Sequence, residues 1–547
     1  MTRLLLERDV AMPMRDGVVL RADVWRPDTD ARVPVLLQRT PYDKALWLLA
    51  HAPIEPGRAV EAGYAVVIQD VRGRFASDGS FEPFRQELAD GVDSVAWAAS
   101  QPWADGWVAT YGASYVGATQ LLAAVGAPPA LGASVPWVTA SEYYEGWTYQ
   151  GGALQLGVAL MWAVGLAGGE AARSFLLDPW RAYERLPVAD QPVLRESAPF
   201  FFEWLAHPAR DSYWRESAIA DHYADVRTPM LHVGGWNDIF LSGTLRNFRG
   251  LRAAGVPGQR LLVGPWAHGT MGEMIGDVSY GPDGSRWTID STQLHLDFFA
   301  EARQGREAAP PIRVFVLGAN RWRDEDDWPP PDVTERRLFL RAGGGLTWDA
   351  PGDGEAVLEY TYDPADPVPT AGGQTLLPGH EISIMLGQRD QAQVEARRDV
   401  LVYRSAPLER ELEIAGSVRL VLYAASSARD TDWTARLVDV HPDGRAIGVV
   451  DGILRARYRG GTDRAELLEP GCAYVFEIDV GDTCLALAPG HRLGLQVSSS
   501  NFPRFDRNPN TGDVPAEARA ADFIAARQTV FQDAARASHL VLPIRES

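Results

Sequence analysis

Val108-Ala109-Thr110-Tyr111-Gly112-Ala113-Ser114-Tyr115-Val116-Gly117 is an apolar, strand-like run that breaks at a glycine, presents one serine and passes at once into a helical pattern. A serine held on a sharp strand-to-helix turn has the geometry of a nucleophile elbow. A hydroxyl is a weak nucleophile, so the reading has chemical content only if a base and an orienting carboxylate follow. Two later apolar runs end in turns that carry them: Leu231-His232-Val233-Gly234-Gly235-Trp236-Asn237-Asp238 and Leu261-Leu262-Val263-Gly264-Pro265-Trp266-Ala267-His268.

The order Ser114, Asp238, His268 is that of an α/β-hydrolase. Each residue alone has a plainer reading: Ser114 and Asp238 as helix N-caps, His268 as a loop histidine. Of the ten histidines, only His268 sits at a strand end after the acid. His232 alternates within a strand and faces packing, while His51, His207, His222, His295, His380, His441, His491 and His539 lie in helical or loop contexts. The elbow departs from G-x-S-x-G at one place, where Val116 precedes Gly117.

Strand-like runs at 18–24, 33–38, 64–69, 108–111 and 132–136 alternate with helical stretches at 86–99 and 116–125, the βαβ rhythm of a largely parallel sheet. The rhythm resumes at 230–233 and 259–263 and closes with a helix over 291–304. Residues 1–140 and 217–308 are therefore expected to form an α/β-hydrolase domain, with 141–216 an inserted helical cap. Gly305 to Pro311 reads as a linker. From Ile312 the texture changes to short β-branched runs split by Pro, Gly and Asp, which predicts an all-β jelly roll over 309–547 that opens with a strand at 312–317.

The 547 residues carry a net charge of −20, which disfavours nucleic acid and anionic membranes as partners. The charge-free stretch from Gly146 to Gly169 is long enough to score as a membrane span. A span there would separate Ser114 from Asp238 and His268, so the stretch is assigned to cap helices. Met1 to Asp9 lacks an export core, so a cytoplasmic address is expected. The two cysteines, Cys472 and Cys484, are read as buried thiols, with pairing left open. Asp324-Glu325-Asp326-Asp327 is taken as a solvated loop rather than a metal site, and no Cys/His spacing suggests zinc. Lys44 is the only lysine; it either fixes its turn by an ion pair or acts on the Tyr42 hydroxyl.

Five segments in order give the chain a resemblance to a known family: Arg39-Thr40-Pro41-Tyr42-Asp43-Lys44, Gln69-Asp70-Val71-Arg72-Gly73-Arg74, the elbow, Gly235-Trp236-Asn237-Asp238 and Gly264-Pro265-Trp266-Ala267-His268. They resemble the cocaine esterase-like (CocE/NonD) serine hydrolases of the X-Pro dipeptidyl-peptidase superfamily. The stretches 391–403 and 499–508 are similar to marks of that family's carboxy-terminal, galactose-binding-like domain. In this family Gly-x-Ser-Tyr-x-Gly is the expected elbow, so Val116 is no anomaly.

The resemblance implies a carboxylesterase needing no cofactor, with Ser114, Asp238 and His268 as triad. The oxyanion would be held by the Tyr115 backbone N–H and, since Pro41 has no N–H, by the Tyr42 hydroxyl. Trp147, Trp162 and Phe240 match positions that line the family's acyl pocket, against the alternative of plain core packing. A small-molecule ester with an apolar acyl group is the expected substrate. Asp238 is followed by Ile239, Phe240 and Leu241, a poor wall for a substrate ammonium. Amidase or acylase activity and an X-Pro dipeptidyl-peptidase, the latter resting on Glu142 and Glu145, stay as alternatives, as does an inactive hydrolase fold that binds carbohydrate. Self-association into a homo-oligomer is left open.

Overall fold

The structure of the protein is a computed structural model that describes residues 3–46, 53–306, 310–378 and 384–545. His51 and His380 lie outside the described residues. Ten strands form one sheet in the order Leu4–Pro13, Val19–Pro27, Ala65–Asp70, Val33–Thr40, Ala104–Ala113, Leu131–Trp137, Met230–Asn237, Gln259–Ala267, Ile312–Val316 and Arg321–Glu325. From Ala65–Asp70 to Ile312–Val316 the strands run parallel. Parallel strands are covered on both faces and so read as continuous apolar runs. Every residue of Ala65–Asp70 and Met230–Asn237 is accordingly buried.

Helices Glu87–Ser100 and Tyr115–Val125 pack together on one face. Tyr42, Ser114, Asp238 and His268 follow the carboxyl ends of four strands of the sheet. Strand order reverses around Val33–Thr40, and a crevice outside the strand ends at such a point is where open α/β sheets place their ligands.

Between Leu131–Trp137 and Met230–Asn237 the chain forms helices Leu156–Ala167, Gly169–Leu177, Pro179–Tyr183, Phe200–Ala206 and Ser212–Arg215. The charge-free stretch thus holds a short pairing of Tyr149–Gln150 with Ala153–Leu154 and one twelve-residue helix, buried along most of its length. No helix among the described residues is long and apolar enough to cross a membrane.

The carboxy-terminal half builds an eleven-stranded, mostly antiparallel sheet around the long pair Leu412–Ser426 and Ala473–Leu487. Along Leu412–Ser426 buried Val418, Leu420 and Leu422 alternate with more exposed neighbours, as one-sided burial requires. Three expectations are corrected. Ile312–Val316, expected to open this half, pairs in parallel with Gln259–Ala267 and extends the first sheet. The acid run is not simply a solvated loop, because Asp324 and Glu325 end the Arg321–Glu325 strand and the buried Glu325 pairs with Arg323 and Arg545. Cys484 is buried as expected, but Cys472 is exposed, and both thiols are free.

Candidate active site

Ser114 sits at φ +62° and ψ −123°, a backbone conformation that costs a non-glycine residue strain and occurs mainly where the surroundings impose it. Its N–H donates to the Trp137 carbonyl at 2.9 Å, and its carbonyl receives Gly117 N–H at 2.9 Å. The two glycines are steric requirements. A Cβ at Gly112 would lie 2.2 Å from Val116 Cγ1, and one at Gly117 would lie 2.8 Å from Thr139 Cβ. The close helix–strand approach therefore falls at 117, which explains a branched residue at 116.

Asp238 and His268 follow neighbouring parallel strands, whose register pairs Gly235 with Gly264 and Asn237 with Ala267. A Cβ at Gly235 would lie 2.3 Å from the Trp266 carbonyl, so glycine there lets the two turns converge. The buried Asp238 places Oδ2 2.9 Å from His268 Nδ1, while its Oδ1 accepts Phe240 N–H at 2.8 Å. On the other side of the ring, His268 Nε2 lies 3.2 Å from Ser114 Oγ. The bond at Nδ1 fixes the tautomer that leaves Nε2 facing the hydroxyl as a base.

The Tyr42 hydroxyl oxygen accepts Trp162 Nε1–H at 3.0 Å and also engages the Ser114 side chain. Burial raises its pKa, so the phenol keeps its proton. Indole can only donate, and the phenol proton therefore remains for another acceptor. The turn is braced by an ion cluster: the buried Lys44 Nζ lies 2.8 Å from the exposed Asp9, 3.1 Å from buried Asp70 and 3.9 Å from buried Asp23. These contacts give the lone lysine the role of fixing its turn. Arg74 adds bonds to the Pro41 and Leu166 carbonyls, tying the Tyr42 turn to the helix that carries Trp162.

Tyr115, first in its helix, has no intrahelical acceptor for its N–H. Its hydroxyl donates to Glu87 at 2.8 Å, and Glu87 pairs with Arg39, 2.9 Å away. Burial pushes the Glu87 carboxyl up and the Tyr115 phenol well up.

Phe240 stacks on Trp147 with centroids 4.4 Å apart and meets the His268 ring edge-on at 5.2 Å. Trp147 is T-shaped against Trp162 at 5.7 Å. Sequence reasoning missed Phe84, Tyr143, Phe200 and Trp204, which pack with these rings in one buried aromatic cluster; the Phe200-Phe201-Phe202 run ahead of Trp204 was the available signal. The loop bearing Trp147 is clamped from the carboxy-terminal half. Arg504 Nη2 donates to Gln150 at 3.1 Å, Arg455 N–H to the Gly151 carbonyl at 2.8 Å, and Asp506 accepts Leu154 N–H at 3.0 Å. The stretch 499–508 is thus a buried polar clamp, with Arg455 bridging Asp432 and Asp506 beneath it.

The X-Pro dipeptidyl-peptidase (S15 family) matches residues 16–270, and the X-Pro dipeptidyl-peptidase C-terminal non-catalytic domain matches residues 304–541. The chain is 38% identical to the cocaine esterase of Rhodococcus sp. (strain MB1 Bresler) over 98% of both chains. This chain belongs to the CocE/NonD branch of the S15 family. Among solved structures, an alpha-amino acid ester hydrolase aligns with TM-score 0.87 at 26% identity, covering 100% of this chain and 97% of that one. An aminopeptidase from the marine sediment archaeon Thaumarchaeota archaeon aligns with TM-score 0.86, also at 26% identity and with the same coverage.

In this CocE/NonD chain, the two glutamates on which an amino-terminus-binding reading rests are engaged elsewhere. Glu142 is buried between Arg210 and Arg246, and burial raises the Glu145 carboxyl to about 8. Glu145 instead accepts Gly151 N–H in a cavity of about 510 Å³ behind the Asp238 turn.

Proposed function

We propose that the protein is a serine esterase that hydrolyses small carboxylic esters with an apolar, aromatic or aliphatic, acyl group through an acyl-enzyme on Ser114. The observation that carries this reading is the continuous hydrogen-bonded run from Asp238 through His268 to Ser114, facing Trp147, Trp162 and Phe240. His268 Nε2 takes the hydroxyl proton as Ser114 Oγ attacks the acyl carbonyl, and Asp238 stabilises the resulting imidazolium. The Tyr115 N–H and the Tyr42 hydroxyl donate to the tetrahedral oxyanion. As the intermediate collapses, His268 returns the proton to the departing alcohol. Water, deprotonated by the same nitrogen, then attacks the acyl-enzyme; the acyl–Oγ bond breaks, His268 returns the proton to Ser114 Oγ, and the acid leaves.

In this reading residues 141–216 form a cap that supplies Trp147 and Trp162. The carboxy-terminal half, a jelly roll that opens with strand Val333–Arg341, walls the site by clamping the Trp147 loop, with no sugar ligand required. The 26%-identical aminopeptidase keeps peptide cleavage in view, yet recognition of an amino terminus needs an ionised carboxylate, and Glu142 and Glu145 are poorly suited to it.

The test is p-nitrophenol release from an acyl-length series by the wild type and Ser114→Ala. We expect the variant's kcat to fall by roughly 10³-fold or more and aromatic or medium aliphatic acyl groups to be preferred. Undiminished turnover by Ser114→Ala would overturn the mechanism.

A further inference from the structure

Strand Asp432–Val440 pairs antiparallel with strand Arg492–Ser498, and the register sets Val440 opposite Arg492. One step beyond the ladder, His441 therefore faces His491, and Asp439 projects from the same face as His441 because side chains alternate. The two imidazole centroids are 4.5 Å apart. Asp439 bridges both rings, with Oδ1 2.7 Å from His491 Nδ1 and Oδ2 3.4 Å from His441 Nε2. One donor atom from each residue lies within 4.8 Å of the other two.

We infer that Asp439, His441 and His491 form a site for a divalent transition cation of the zinc class, in a cleft between the two sheets. Two imidazoles and a carboxylate suit zinc-class ions, whereas magnesium and calcium take all-oxygen sets.

The cleft has a volume of about 300 Å³, and its far wall comes from the segment after His268 and the outer edge of the first sheet, including Asp277 and Asn320. Asn320 Oδ1 is buried there without a hydrogen-bond partner among the described residues, a further oxygen in the same cleft. Asp277 lies on the segment that begins at His268, so a bound cation would sit between that segment and the second sheet. The group escaped sequence reasoning because Asp439 and His441 lie some fifty residues before His491, outside any zinc-like spacing.

The experiment is calorimetric titration of zinc chloride into the full-length protein and its variants, with cobalt(II) chloride spectra of the wild type. We expect one tight equivalent in the wild type and in His268→Ala, and affinity at least tenfold weaker in His441→Ala and His491→Ala. Asp439→Asn, which removes the site's anionic ligand, should weaken it at least tenfold as well. Cobalt should give visible bands of nitrogen and oxygen ligation without a thiolate charge-transfer band. That spectrum needs no variant and so stands even if a substitution disturbs folding. The inference is overturned if no tight equivalent binds, if both histidine variants retain it, if His268→Ala loses it, or if cobalt shows thiolate ligation, which would point to Cys472.

Discussion

Tyr42→Phe removes a single oxygen, and the structure assigns that oxygen two separable consequences. In the proposed mechanism the phenol proton is one of two donors to the oxyanion; losing such a donor costs about 3 kcal/mol in the transition state, roughly a hundredfold in kcat. The oxyanion exists only after attack, so KM should change far less than kcat. The same oxygen accepts Trp162 Nε1–H at 3.0 Å, and deleting it leaves a half-buried donor unpaired, at about 1 kcal/mol of stability. The double variant Tyr42→Phe/Trp162→Phe removes that orphaned donor. It should regain part of the lost stability but none of the lost kcat, a non-additivity that a double-mutant cycle reads directly. The assay is steady-state hydrolysis of a p-nitrophenyl ester beside urea denaturation of the four proteins. A Tyr42→Phe enzyme with kcat within threefold of wild type would refute the donor role.

Lys44→Met strands the fully buried Asp70 carboxylate, so it should cost about 3–5 kcal/mol by urea denaturation; a loss under 1 kcal/mol would mean the pair is not what braces the turn. Burial raises Glu145 from its ordinary 4.5 to about 8, so the native state holds a proton that the unfolded chain has released. Stability attached to this group is complete below pH 4.5 and is lost as pH rises toward 8. Glu145→Gln should therefore be more stable than wild type by about 1–3 kcal/mol at pH 9, with no gain at pH 4, and equal melting curves at pH 9 would contradict the shift. His295 is buried with its pKa lowered from 6.5 to about 4 by desolvation. The unfolded chain takes up this proton first, so stability falls as pH drops from 6.5 to 4. His295→Phe should flatten that limb of the pH–stability curve, and an unchanged slope would show that His295 does not set it.

The sequence revealed the residues at the strand ends because each follows an apolar run whose periodicity is local. It did not reveal which sheet a strand joins. Ile312–Val316 has the β-branched texture of the later strands, yet its neighbour is Gln259–Ala267, a choice set by tertiary packing. The amino-terminal strand Leu4–Pro13 went unseen because it is an edge strand with most of its side chains exposed, so no apolar alternation marks it. The roles of Tyr42 and Trp162 are joined by a hydrogen bond across 120 positions, which no spacing rule anticipates. The family segments around Asp70 and Arg74 proved to be braces around the Tyr42 turn, Arg39 a partner of Glu87 behind Tyr115, and stretch 499–508 a clamp on the Trp147 loop; such roles need the packed partners to be seen.

The most direct test of the account is to identify the covalent intermediate. Rapid acid quenching of the enzyme with a p-nitrophenyl aromatic ester, followed by intact and peptide mass spectrometry, should find one acyl group, carried by Ser114, forming as fast as the first equivalent of p-nitrophenol appears. Turnover with no acylated protein, or an acyl group on any other residue, would contradict it.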